Sequence, residues 1–149
     1  MKTIIYMLSL LAFFTVGCGI YGMTKSDPKP TQAQISSADF GSPPENYQEK
    51  VKAYFQANLV NPVGMILEFG QPHKAWARLP KDPTAKFAGT YGYKNVFGWA
   101  VCGYMNTQNR FGGYTGRDMF WSFFRDGELL SINYGTPAWD SCRGNEPKL

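Results

Sequence analysis

Residues able to do chemistry are sparse in this chain, and the densest group is Asn106 to Arg117, NTQNRFGGYTGR. Arg110 and Arg117 flank Gly112, Gly113, Tyr114 and Gly116. Glycines let backbone N–H groups approach an anion closely, arginines add charge, and Tyr114 offers a ring to stack on a sugar or a partner side chain. With Phe111 these residues form a candidate binding loop. It is not a nucleotide loop, because no Lys-Ser/Thr follows and no helical pattern comes after it. The competing reading is conformational: the glycines only permit the positive φ angles of a compact turn, with Phe111 and Tyr114 folded back on a sheet.

Catalytic and metal chemistry find little support. His73 is the single histidine, which removes most metal sites and every Ser-His-Asp or Cys-His arrangement not built on it. Its place beside Pro72 suggests an exposed turn, and no partner for a general base lies near it in sequence. Asp118, Asp126, Glu128 and Asp140 could supply the two acids of a glycoside hydrolase. Asp126, however, is explained by an Asp-Gly turn, and no spacing pairs the others. We expect no catalytic residue, no metal, no cofactor and no enzyme, with a cell-wall-active enzyme as the remote alternative.

The elements that must position the loop are strands. From Val96 to Asn106 two apolar sets alternate with the period of a strand, Phe97, Trp99, Val101 and Met105 against Val96, Ala100, Cys102 and Tyr104. Both faces of such a strand must be covered. Met119 to Arg125 is a second aromatic strand, Asp126-Gly127 a two-residue hairpin turn, and Leu129 to Tyr134 the returning strand. Gly64 to Phe69 and Lys74 to Leu79 read as two short strands about a turn at Gly70 to His73. Ser42-Pro43-Pro44-Glu45 has the form of a capping box opening a helix whose stripe is Tyr47, Val51, Tyr54, Phe55 and Leu59, stopped by Asn61-Pro62. The expected fold is α+β, a small, mostly antiparallel sheet with one N-terminal helix packed on a face. Ala138 to Leu149 reads as a tail.

Asn61-Pro62-Val63-Gly64-Met65, Lys74-Ala75-Trp76, Gly98 to Gly103, Asn106 to Gly116 and Phe124-Arg125-Asp126-Gly127 together carry a resemblance. They resemble segments of small lipoproteins and secreted proteins of Gram-negative bacteria and their phages, which carry a "CG-x-VN-x-KN-x-[FY]-GGY-x-G" run. The resemblance covers about half the chain, from Asn61 to Leu130, and the GGYTG run is its most specific part. Asn61 stands where the group has Asp, and Gln108 where it has Lys. The resemblance implies an envelope protein of α+β type and supplies no activity.

The N-terminus gives the address. Lys2 is a basic n-region, Ile4 to Val16 an apolar stretch of signal-peptide length, and Thr15-Val16-Gly17-Cys18 a lipobox in form. About 13 apolar residues fall short of the roughly 20 that span a bilayer. The expected division is a signal peptide over 1–17, a lipid-anchored tether over 18–41 and a single α+β domain over 42–149. The alternative is an ordinary signal peptide with an incidental Cys18. Gly19 is not the Asp that retains lipoproteins at the inner membrane, so an outer-membrane lipoprotein on the periplasmic face is expected. If lipid consumes Cys18, the remaining two of three cysteines, Cys102 and Cys142, can pair in an oxidising compartment. The alternative is two free, buried thiols. From Gly19 to about Gly41 the polar, Pro-containing composition marks a solvated tether.

At 149 residues with 44% hydrophobic and 16% aromatic content, the chain can bury one real core. Its formal charge of +4 is mild, and no basic helix or fold signature points to nucleic acid. The expected function is a membrane-anchored, non-catalytic binding or accessory module acting through an envelope protein partner. The alternative is a module that binds glycan or anionic lipid through the Gly-Arg-Tyr loop.

Overall fold

The chain's structure, a computed structural model, describes residues 25–84 and 91–147. The expected signal peptide, Cys18 and the first part of the tether lie outside the described residues. The strand expected from Val96 extends further in both directions, giving β3, Tyr93–Gln108. β4 (Tyr114–Arg125) and β5 (Glu128–Tyr134) follow it in antiparallel register, with Cys102 opposite Trp121 and Ser122 opposite Ile132. Asp126 and Gly127 turn the β4–β5 hairpin at φ +50° and +79°, as an Asp-Gly type I′ turn demands.

The first two strands, β1 (Ile66–Phe69) and β2 (His73–Pro80), do not fold back on each other. Both pair antiparallel with β3, Phe69 opposite Gly103 and His73 opposite Ala100. They form one edge strand interrupted by a bulge, in which Gly70, Gln71 and Pro72 face only two residues of β3. Pro72 cannot donate to a ladder, so the bulge sits where a proline is tolerated. Gly70 keeps the strand attached, its N–H donating to the Cys102 carbonyl at 2.7 Å. The extra residue reverses which parity faces which side: Leu67 and Phe69 pack on one face, Ala75, Ala77 and Leu79 on the other.

Among the described residues the fold is therefore α+β, an antiparallel sheet of five strands with three helices rather than one. α2, Tyr47–Asn58, brings Val51 and Phe55 into a cluster with Val101, Met105, Phe120 and Phe124. It starts later than the capping box implies. Asn46, at φ +53°, precedes its first turn and makes no side-chain cap bond. The cause is Pro44, whose ring disfavours the α conformation at Pro43, so the helix cannot begin there.

The opposite face carries Ala77, Ala100, Cys102, Met119, Trp121 and Phe123, under α3, Thr136–Cys142. This helix lies where the sequence reads as a tail. Pro137 stands in its first turn, where a missing N–H costs nothing, so Gly135-Thr136-Pro137 both ends the sheet and starts the helix. A disulfide joins Cys102 to Cys142, with Cα atoms 5.7 Å apart, and fastens α3 to the middle of β3.

The stretch up to Gly41, read from composition as a solvated tether, lies against the domain over its described part. β4 pairs with β3 only from Trp99 onward, which leaves one edge of Tyr93–Gly98 without a strand. Residues 26–41 occupy that edge. The Asp27 N–H donates to the Tyr93 carbonyl (2.7 Å), and the Tyr93 N–H to Ser26 Oγ (3.0 Å). A short helix, α1 (Gln32–Ser37), opens with a capping box on Thr31 and Gln34. Phe40 then packs edge-on against Phe97, and the Trp99 indole donates to the Gly41 carbonyl at 3.1 Å. Arg125 closes the contact, donating to Asp39 Oδ2 at 2.7 Å and to the Phe97 carbonyl at 3.0 Å.

Candidate functional site

β3 and β4 are joined at their far end by Asn109 to Gly113, beyond the pair Gln108 and Tyr114. Asn109 builds this loop. Its N–H donates to the Gly113 carbonyl (2.8 Å) and its carbonyl accepts from the Gly112 N–H (3.0 Å). Its side-chain oxygen accepts from the N–H groups of Phe111 (2.9 Å) and Gly113 (3.1 Å). Gly112, at φ +82° with open space around its Cα, is needed for the turn. The N–H groups of Phe111, Gly112 and Gly113 are thus bonded inside the loop, where an anion cradle would need them pointing outward.

The charged and aromatic residues of the loop are also dispersed. Arg117 forms an ion pair with Glu68 on β1, with its guanidinium 3.9 Å from the centre of the Tyr104 ring. Arg110 lies on the Phe111 ring at 4.9 Å, and among the described residues it has no carboxylate partner. Phe111 does not fold back on the sheet; it is 82% exposed. Tyr114 is half exposed, and its hydroxyl donates to the Gly64 carbonyl at 3.1 Å.

That bond ties the loop to a second segment that sequence reasoning missed. Asn61, just past α2, donates from Nδ2 to the Asn109 carbonyl at 3.2 Å. Between α2 and β1 stand Val60, 98% exposed, and Val63, 73% exposed. Two loops distant in sequence therefore meet at one end of the sheet and present Val60, Val63, Phe111 and Tyr114 to solvent, with Arg110 as the added charge. The available signal was a pair of valines flanking Asn61-Pro62 where a helix stop needs none.

The other candidates are separated from this tip. His73 opens β2 and is partly buried, not exposed in a turn. Burial holds its imidazole below the ordinary value, opposed by the Gln71 carbonyl. It borders an open cleft of about 570 Å³ on the α3 face, with Ala77, Trp121, Ser131 and Asp140. Asp118 lies inside β4 and Asp126 just past its end, on the order of 25 Å apart at strand rise. A carboxylate pair for glycoside hydrolysis needs about 5 to 9.5 Å. Asp126 is held by Arg125 at 3.0 Å, Glu128 lies 3.5 Å from Lys50, and Asp140 lies 3.4 Å from Arg143.

Among the described residues, no group of three or more His, Cys, Asp or Glu could hold a metal ion. Among them too, no helix is long and apolar enough to cross a membrane. Compared with known proteins, the chain matches no family model, no curated protein and no solved structure.

Proposed function

We propose that this chain is a membrane-anchored bacterial lipoprotein, akin to the Gram-negative and phage envelope proteins its GGYTG run resembles, that works as a non-catalytic binding or accessory module. In this reading lipid on Cys18 fixes it to the outer membrane at the periplasmic face, α2 closes one face of the sheet, and the tip carries recognition. The observation that carries the reading is the tip itself. Val60, Val63 and Phe111 are exposed well beyond what single surface apolar residues need, and they stand together on two loops cross-tied by hydrogen bonds. Ordered loops bearing exposed aromatic and aliphatic side chains suit a protein partner.

The same geometry weighs against the glycan or anionic-lipid alternative. The loop's N–H groups are engaged internally, and Arg117 is committed to Glu68. A photo-crosslinking residue at Phe111 in the intact, exported protein tests the reading, with Lys52 on the exposed side of α2 as control position. The expected result is a discrete envelope-protein adduct from position 111 that is absent from position 52. No adduct, together with pull-down of peptidoglycan or lipopolysaccharide lost in Tyr114→Ala, would replace it with the ligand-binding reading. Metabolic labelling with an azido fatty acid tests the anchor: label is expected on wild type in the outer-membrane fraction and absent from Cys18→Ser.

A further inference from the structure

The two ends of β3 differ in charge as well as in shape. At its start, β2, β3 and the segment from Lys25 onward form an arm reaching past the end of β4. Lys25, Lys29, Arg78, Lys81 and Lys94 are all exposed on it. Only Asp27 and Asp82 oppose them there, leaving a net of three positive charges. The remaining described residues carry seven basic against nine acidic side chains, a net of two negative charges. Among the described residues the positive charge is thus concentrated in the arm.

The arm is also the end nearest the lipidation position. Lys25 lies seven chain steps on from Cys18, which whatever their conformation span at most about 25 Å. Lys25 is itself held in place: its carbonyl accepts from Lys81 Nζ at 2.7 Å, next to the Lys81–Asp27 ion pair at 3.0 Å. The Asp27 carbonyl accepts from Arg78 at 2.9 Å. A chain acylated at Cys18 therefore holds the arm beside the bilayer. The apolar tip stands at the other end of a strand roughly 50 Å long by strand rise.

We infer that the arm is a second, electrostatic membrane contact, in which its basic side chains rest on anionic phospholipid headgroups of the leaflet that carries the anchor, orienting the domain with its tip outward. The inference rests on the lipoprotein reading for its geometry. Its driving force is independent of acylation, because basic side chains within a Debye length of an anionic surface each contribute to attraction. Acyl anchor and basic patch together make the two-signal attachment that gives a stable and oriented contact.

Lysine footprinting of the full-length protein tests it. Protein purified from membranes is placed on vesicles rich in phosphatidylglycerol or on pure phosphatidylcholine vesicles, acetylated briefly, and read by mass spectrometry. Reactivity of Lys25, Lys29 and Lys94 is expected to fall roughly threefold or more on the anionic vesicles and to recover at high salt. Lys50 and Lys52 on α2 are expected to react alike on both. Equal reactivity of the arm lysines on both vesicles, or protection centred on Lys50 and Lys52, overturns the inference. The mass of the Cys18 peptide reads the anchor separately. If it is bare, arm protection on anionic vesicles still supports the contact, and its absence still overturns it. Lys25→Glu/Lys29→Glu/Lys94→Glu, in residues whose side chains make no described ion pair, is expected to abolish the salt-sensitive protection of Lys81.

Discussion

At the scale of single residues, close approach and loop closure decide what this chain tolerates. Gly103 lies in β3 where a Cβ would come within 2.1 Å of the Phe120 ring and 2.5 Å of the Glu68 carbonyl. Gly103→Ala must displace a buried aromatic or the strand pairing, so a loss of about 1–3 kcal/mol is expected in denaturant unfolding. A midpoint equal to wild type would mean that Phe120 has room to move. Phe111→Ala removes an exposed ring and is expected to leave stability within about 0.5 kcal/mol while abolishing co-purification of the envelope partner. Asn109→Ala leaves three loop N–H groups with one acceptor and is expected to cost about 1–2 kcal/mol and to weaken the adduct by freeing the tip. Equal unfolding midpoints for Asn109→Ala and wild type would show that the side chain does not build the loop. Arg110 and Phe111 were legible as a surface loop, because glycine and arginine rarely crowd a core, whereas Tyr114, expected in the loop, opens β4. The role of Asn109 was not legible, since an Asn that accepts from two residues ahead looks like any polar loop residue until the loop closes.

At the scale of elements, alternation and turn chemistry carried β3, β4 and β5, whose apolar residues and Asp-Gly turn all demand one arrangement. The bulge at Gly70–Pro72 and helix α3 were hidden because Gly and Pro mark both an interruption and a beginning. Residues 26–41 were hidden for a different reason. Their polar composition has no period, yet they fill an edge that exists only because β4 is shorter than β3. Part of their attachment is ionic, through Asp27 and Asp39, and that part is pH-sensitive. Asp27 titrates below its ordinary range, chiefly through Lys81 and then the Asn95 N–H. Asp39 does so chiefly through the Gly41 N–H and then Arg125. Because both values are depressed in the folded state, the stabilisation is complete above the unfolded carboxylate value of about 4 and is lost as pH falls through the lower folded values. Hydrogen exchange, corrected for intrinsic rates, is expected to show the Asp27, Tyr93 and Asn95 amides losing protection in acid before the Cys102 and Trp121 amides do. Simultaneous loss at all five would show that the segment is held by packing, not by its carboxylates.

At the scale of the whole molecule, the sheet separates two apolar clusters, and they are fastened differently. The α2 face is closed by a twelve-residue helix with Phe55 edge-on to Phe120 at 5.4 Å. The α3 face is closed by seven residues that contribute only Ala138 and Cys142 to the core. Beyond them only Trp139 adds a ring, 6.0 Å from that of Tyr104, so the Cys102–Cys142 bond is a principal part of the attachment. Spanning 40 residues, it removes about 4 kcal/mol of chain entropy from the unfolded state. For a domain of this size that corresponds to a Tm shift of roughly 10–20 °C. Thermal unfolding of the exported protein with and without reductant is expected to show a shift of that order. Under reductant at moderate temperature, the α3 amides are expected to exchange while those of α2 stay protected, since Val51 and Phe55 do not depend on the bond. The two-face reading is tested by the pair Cys102→Ala/Cys142→Ala, which removes the bond without leaving thiols. Partial protection of α2 with loss at α3 supports it. Loss of both helices together would mean that the clusters on either side of the sheet form one cooperative unit, and that the disulfide stabilises the fold as a whole rather than one of its faces.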